Sequence, residues 1–301
     1  MQILITGARG FVGSHLGNTL VGKGHTVVGI DDLSNPSTNN VSFHVTTMKV
    51  GELTPDHIKG MDAIFHLAAK VNVDESIAFP QPYFDANVSQ TIHLLELVRM
   101  YAPQCKFIYA STSEVYGSGM TKKMDESHPL DAASPYAVSK MAADRLVTIY
   151  GEMHGLNVTV VRNFNTFGEH QRDGLYGGVI PKFVSQGLKK EPITIFGDGS
   201  QSRDYMHVSQ AVTGYSMVLE RDMPKLYNCG LGETFPIIDI ANYIAKKFDV
   251  PVTHLSARPN EVLFLCADVS LAKAYGYEIT TDFWNMLDTY TTWRIEDATT
   301  N

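Results

Sequence analysis

The chain carries Thr6-Gly7-Ala8-Arg9-Gly10-Phe11-Val12-Gly13, three glycines spaced G-x-x-G-x-x-G between an apolar run, Gln2–Thr6, and a helical pattern over Phe11–Lys23. A glycine-rich turn joining a buried strand to a helix is compatible with few folds. There Gly7 permits the tight turn, Gly10 lets the backbone approach a pyrophosphate, and Gly13 lets the helix lie close to the sheet. Phe11 and Val12 open the helix, whose first N–H groups then face the phosphates. Ordinary turn glycines would give the same letters, and the flanking strand and helix are what give the spacing its meaning. The second strand, Thr26–Asp31, ends on the acidic pair Asp31 and Asp32. This is about 20 residues beyond the glycines, where a carboxylate meets the adenosine ribose. A negative charge there repels a 2′-phosphate, which predicts NAD rather than NADP. A solvated turn is the other reading of Asp31.

The same texture repeats downstream. Apolar runs at Ala63–Leu67, Lys106–Ser111 and Asn157–Arg162 alternate with helical patterns at Pro82–Tyr101 and Tyr136–His154. Strands that are apolar throughout, separated by helices, predict an α/β fold with a doubly wound parallel sheet covered on both faces. After Asn165 glycine, proline and short segments take over. We therefore expect a dinucleotide-binding domain over 1–165, with 204–231 returning to it. A second, smaller substrate-binding domain would span 166–203 and 232–301.

Composition sets outer limits. Of 301 residues 44% are hydrophobic and 19% charged, enough for a core without staples. A net charge of −8 argues against a broad nucleic-acid or anionic-membrane surface, so any phosphate has to be gripped locally. Cys105, Cys229 and Cys266 are odd in number and lack metal-ligand spacing, which predicts buried thiols in a reducing compartment and no metal. The first apolar run is too short for a secretory signal, and no stretch reaches the roughly 18 residues of a membrane helix. The expectation is a cytoplasmic protein.

Two further segments carry chemistry. In Tyr136-Ala137-Val138-Ser139-Lys140 the phenol and the ammonium sit at i and i+4, on one face of a helix. A cation beside a phenol favours the phenolate, which would make Tyr136 a general base for a hydroxyl proton. Alone, the pair also fits an exposed surface position; Ser134-Pro135 before it supports a helix start. Directly after the strand Lys106–Ser111 comes Thr112-Ser113-Glu114-Val115-Tyr116-Gly117. Loops at the carboxyl ends of parallel strands are where ligands bind in such sheets. Thr112 is placed to hydrogen-bond the hydroxyl that Tyr136 deprotonates, and Glu114 adds a carboxylate at the same place. An N-cap or solvated loop residue is the plainer reading of Glu114.

Taken in order, these motifs, with His66-Leu67-Ala68-Ala69, Arg162-Asn163-Phe164-Asn165-Thr166-Phe167-Gly168, Gly178-Val179-Ile180-Pro181, Arg203-Asp204-Tyr205-Met206-His207-Val208 and Arg258-Pro259-Asn260-Glu261, resemble the extended short-chain dehydrogenase/reductases. Specifically, the chain is similar to the NAD-dependent nucleotide-sugar epimerase/dehydratase family, over nearly its whole length. The resemblance implies Thr112, Tyr136 and Lys140 as catalytic residues, with Ser113 and Glu114 beside them. It implies Leu67, Ala68, Ala69, Asn87 and Asn163 around NAD, and Asn165, Val179, Arg203 and Arg258 around a nucleotide-diphosphate sugar. It also implies a homodimer built through the helices near Pro82–Tyr101 and Tyr136–His154. One departure stands out. The family usually has an acidic residue after the third strand that contacts adenine, and Phe43-His44-Val45-Thr46-Thr47-Met48 has none.

The common chemistry of the family is oxidation at C4 of the sugar, which acidifies C5. A carboxylate near C5 then drives loss of the C6 hydroxyl, whereas a 4-epimerase needs no such base. With Glu114 present we expect a 4,6-type dehydratase, with 4-epimerase as the alternative. A UDP-glucuronate decarboxylase and a non-catalytic NAD-binding protein fit less well.

Overall fold

The structure, a computed structural model, describes residues 1–38, 40–119, 121–173, 178–257, 262–279 and 282–300. Seven strands form its central sheet: β1 (Gln2–Thr6), β2 (Thr26–Asp31), β3 (His44–Thr47), β4 (Ala63–His66), β5 (Lys106–Thr112), β6 (Val158–Asn163) and β7 (Leu226–Cys229). They lie in the order β7-β6-β5-β4-β1-β2-β3, and every pairing is parallel. The two-residue side-chain period sorts the apolar residues onto two faces. Ile3, Ile5, Phe65, Ile108 and Val161 enter one core, while Leu4, Ile64, Phe107, Tyr109 and Val160 enter the other. All ten are at most 1% exposed, so the sheet is covered on both sides. That accounts for strands that read as continuous hydrophobic runs.

Seven principal helices accompany the sheet: α1 (Phe11–Gly22), α2 (Gln90–Tyr101), α3 (Pro135–His154), α4 (Val179–Leu188), α5 (Val208–Glu220), α6 (Ile237–Phe248) and α7 (Phe283–Thr300). Helices α2 and α3 pack together on one side, and α1 and α5 on the other. Two short parallel pairs (Asn165–Phe167 with Tyr205–His207, and Ile193–Phe196 with Val252–Leu255) and a three-strand cluster around Ser202–Arg203 lie outside the main sheet. All three cysteines are free and buried, and burial pushes each thiol up to about 12. No helix among the described residues is long and apolar enough to cross a membrane.

Two sequence expectations need correction. No strand was expected at His44–Thr47, because the sheet's outer edge leaves it largely exposed and no apolar run marks it. The single helix expected over Pro82–Tyr101 is interrupted. A short turn of helix, Gln81–Phe84, runs into a π-helical segment, Asp85–Ser89, before α2 begins. The wider turn carries Asn87 into the interior, where it is 1% exposed.

Candidate active site

Strand order reverses between β1 and β4, and the crevice opens outside their carboxyl ends, as it does in open α/β sheets. The two loops that border it touch. Gly7 has φ +71, and a Cβ there would lie 2.8 Å from the Ala68 nitrogen. A Cβ on Gly13 would lie 2.1 Å from the Gly7 carbonyl oxygen. Neither position tolerates a side chain, so the turn stays bare and α1 stays close to the sheet. Gly10 caps α1 with no side-chain hydrogen bond, which leaves the first N–H groups available to a phosphate. At the end of β2 the Asp31 carboxylate is fixed by the backbone N–H groups of Arg9 and Leu33, both at 2.8 Å. Bare turn, uncapped helix and fixed carboxylate together fit NAD.

The crevice is a single cavity of about 1510 Å³. That exceeds the roughly 300–1,000 Å³ of a site for one drug-sized ligand, which leaves space for two large ones. Gly7, Gly10, Phe11, Val12, Gly13, Asp31, Asp32, Leu67, Ala68, Ala69, Thr112, Ser113, Glu114, Tyr136, Lys140, Asn163, Asn165, Val179 and Arg203 all line it. Arg258 lies outside the described residues. Asn87 does not line the cavity. Its side chain accepts from the Lys70 N–H (2.8 Å) and donates to the Lys70 carbonyl (3.0 Å) and Ser139 Oγ (2.9 Å). Asn87 therefore fixes the wall after β4 through Lys70, which itself lines the cavity.

At the catalytic end Ser134 caps α3, accepting from the Ala137 N–H, and Pro135 occupies the first turn. Tyr136 and Lys140 follow on the inward face, 8% and 3% exposed. The lysine's relation to the phenol differs from expectation. Its Nζ donates to the Ala110 carbonyl at 2.6 Å and stands 4.3 Å above the Tyr109 ring. Burial lowers the ammonium to about 7, against the pull of Asp144. The Tyr136 phenol is pushed up by burial, with Thr112's hydrogen bond drawing it down and Glu114 raising it. The spacing does put both groups on one face, but in the protein alone desolvation outweighs any help from the cation. Glu114 is half-buried. Burial raises its carboxyl above the ordinary range, with Arg203 opposing.

Two polar atoms stand out on the cavity wall. Asn165 Nδ2 and Asn163 Oδ1 are buried without a partner in the protein, although both residues line the cavity. An unpaired amide at a cavity wall is costly unless a ligand satisfies it. Asn165 offers a donor suited to a phosphate oxygen.

A layer beneath the site was not visible as such in the sequence. Asp144 accepts from Ser111 Oγ (2.7 Å) and from Arg162 Nε (3.0 Å) and Nη2 (3.2 Å). Arg162 Nη1 donates to the Tyr116 hydroxyl (3.1 Å), which donates to Asn228 Oδ1 (2.7 Å). This network joins α3, β5, β6 and β7. Its one sequence signal is Asp144 standing four residues after Lys140, on the same helix face. A second element is His66, whose ring nitrogens lie 2.7 Å from Thr6 Oγ1 and 2.9 Å from Thr91 Oγ1. Burial lowers this imidazole to about 3, with Lys140 acting in the same direction, so it is neutral at physiological pH.

Asp31→Asn keeps one acceptor for the turn and removes the charge. We expect NAD to bind about tenfold more weakly and the preference over NADP to narrow, since a hydrogen bond to a charged group is worth about 1.5–3 kcal/mol. Titration with both cofactors checks this, and a wild-type protein that preferred NADP would contradict it.

Comparison with known proteins agrees with this geometry. The family model described as "NAD dependent epimerase/dehydratase family" matches residues 3–230. A Bacillus subtilis protein described as an uncharacterized UDP-glucose epimerase, YtcB, is 34% identical over 261 residues, covering 81% of each chain. The solved UDP-N-acetylglucosamine 4-epimerase of Methanobrevibacter ruminantium, in complex with UDP-N-acetylmuramic acid, superposes with a TM-score of 0.93 at 29% identity over 98% of both chains. TunA, described as an NAD-dependent NDP-hexosamine 5,6-dehydratase involved in tunicamycin biosynthesis, gives 0.92 at 28% identity, again over 98% of both chains. With a dinucleotide crevice at the sheet's switch point, a buried tyrosine–lysine pair beside it and a family match over most of its length, the chain belongs to the NAD-dependent epimerase/dehydratase family of enzymes.

Proposed function

We propose that the enzyme acts on a nucleotide-diphosphate sugar through a 4-keto intermediate, and that its outcome is a 4,6-type dehydration. The observation that carries this reading is Glu114. Its carboxyl stands in the cavity with Thr112 and Tyr136, close enough to raise the Tyr136 phenol, and burial lifts its own affinity for a proton. A carboxyl in that state is suited both to take a proton from carbon and to give one to a departing hydroxyl.

The residues divide the work as follows. Asn165 and Arg203 hold the diphosphate, assisted by Arg258. Thr112 Oγ1 orients the C4 hydroxyl and Tyr136 takes its proton. Bound NAD, held by the Gly7–Gly13 turn and Asp31, would supply the hydride chemistry at C4. The ketone then acidifies C5. Glu114 accepts the C5 proton, the C6–O bond breaks, and the proton leaves with the hydroxyl as water. The hydride would then be returned at C6, and a proton drawn from solvent at C5 completes the product, with net loss of one water. Lys140, held by the Ala110 carbonyl, supplies positive charge beside the cofactor. Segments 166–203 and 232–301 close over the sugar nucleotide as a smaller domain. Exposed apolar side chains on the outer helices (Ile92, Met100, Tyr101 and Met153, at 36–73%) support a homodimer through that face.

A 4-epimerase is the second reading, favoured by the likeness to the Bacillus protein described as a UDP-glucose epimerase and to the Methanobrevibacter 4-epimerase. Glu114→Gln separates the two. The amide keeps shape and hydrogen bonding but accepts no proton. A dehydratase variant would accumulate NADH and a 4-keto sugar and release little product. Wild-type turnover in deuterated water would place deuterium at C5. A product of unchanged mass, inverted at C4, without deuterium at C5 and still formed by Glu114→Gln would establish the epimerase instead.

A further inference from the structure

Five consecutive residues, 169–173, cross the cofactor end of the cavity, and each is tethered to a different place. The Glu169 carbonyl accepts from His15 Nε2 on α1 (2.8 Å), and its carboxylate lies 3.0 Å from His207 Nε2 at the start of α5. His170 packs edge-on against Trp293 of α7, 5.3 Å between ring centroids. Gln171 donates to the Thr166 carbonyl (3.0 Å). Arg172 Nη1 donates to Asn35 Oδ1 (2.5 Å), in the loop that follows Asp31 and Asp32. Asp173 forms a two-pronged pair with Arg294 of α7, at 2.6 and 2.7 Å. His170 has φ +63, a left-handed conformation that a non-glycine residue keeps only where its surroundings impose it.

The path of this strap is informative. Gln171, Arg172 and Asn35 all line the cavity. His15, which holds the Glu169 carbonyl, stands one turn into α1. The Arg172–Asn35 bond spans from the β6 side of the cavity to the β2 side. Among the described residues, the charged anchor that the strap finds on α7 is Arg294, whose side chain is 13% exposed. Its guanidinium is raised, first by the Asp173 carboxylate, so the pair is strongly coupled. A two-pronged guanidinium–carboxylate contact fixes direction as well as distance, which a lysine does not.

We propose that Arg294 is a positioning residue that latches strap 169–173 across the cofactor, so that the C-terminal helix governs how fast NAD leaves. The reaction needs such a device. The hydride that is removed has to be returned by the same cofactor, so release between the two transfers aborts the turnover. Arg294 touches neither ligand and acts through Asp173.

The test uses the full-length enzyme loaded with labelled NAD and chased with unlabelled NAD. Arg294→Met should release NAD about tenfold faster, the scale of losing one charge-assisted contact. Turnover at saturating NAD should fall only as far as cofactor escapes between the two transfers, with the shortfall appearing as free keto sugar, because no group at the chemistry has moved. Asp173→Asn should behave alike, which keeps the test sound if one variant folds poorly. The charge swap Asp173→Arg with Arg294→Asp should restore slow release. Unchanged release in both single variants would overturn the latch. So would fast release persisting in the swap, since that indicates a local packing role.

Discussion

Replacing Tyr136 with Phe should lower turnover by about 10²–10⁴, the usual contribution of a general base, in a protein that still folds and binds NAD. The fold should survive because the phenol oxygen's partner is Thr112 of the reacting group itself, while the ring keeps its place on α3 and its edge contact with Tyr83. Its loss removes the group that the proposed mechanism assigns to the C4 hydroxyl proton. The structure also says why the effect should be large. Burial holds the phenol above its ordinary value, so nearby positive charge favours loss of its proton, and the Phe variant has no group at that position to take one. Cofactor titration confirms folding, and steady-state kinetics give the loss. Activity within about threefold of wild type would exclude Tyr136 as the base.

Asp144→Ala should cost about 3–5 kcal/mol of stability, measured by urea unfolding, the range for removing one partner of a buried ion pair. The Asp144 and Arg162 side chains are 3% and 5% exposed, so the guanidinium left behind has little water to turn to. Ser111 loses its acceptor as well. The double change Asp144→Ala with Arg162→Met should cost less than the sum of the single ones, because it leaves no orphaned charge. A loss below about 1 kcal/mol would mean that the network relaxes far more than its geometry suggests. Catalysis should suffer too. Asp144 opposes the desolvation that lowers Lys140, and without it less of the lysine is charged at neutral pH.

Much of this architecture is legible in the letters, for identifiable reasons. Buried parallel strands must be apolar throughout, so Gln2–Thr6 and Lys106–Ser111 announce themselves. Gly7 and Gly13 are forced by close backbone approach. Asp31, Tyr136 and Lys140 gain meaning from the elements on which they stand. The misses share a different cause. His44–Thr47 is an edge strand without a buried pattern, and the π-helical segment Asp85–Ser89 leaves no mark in the sequence period. The spacing of Tyr136 and Lys140 fixes which face each occupies, while desolvation depends on everything around them and is read only from the fold. Asp144, Arg162, Tyr116 and Asn228 come from four separate segments, and only the folded sheet brings them together.

The chain order of the sheet bears on how the protein is made. Six neighbouring strands, from β3 at one edge to β6, come from the first 163 residues, whereas β7 is Leu226–Cys229. A ribosome therefore finishes most of the sheet before the strand that covers β6 has been translated. During that interval Val158–Asn163, buried along most of its length in the finished protein, presents an open row of backbone donors and acceptors. An apolar edge of this kind is a template for pairing with another nascent chain. Slow synthesis between residues 164 and 225 would lengthen the exposure, and rapid docking of β7, followed by Asn228 joining Tyr116, is what ends it.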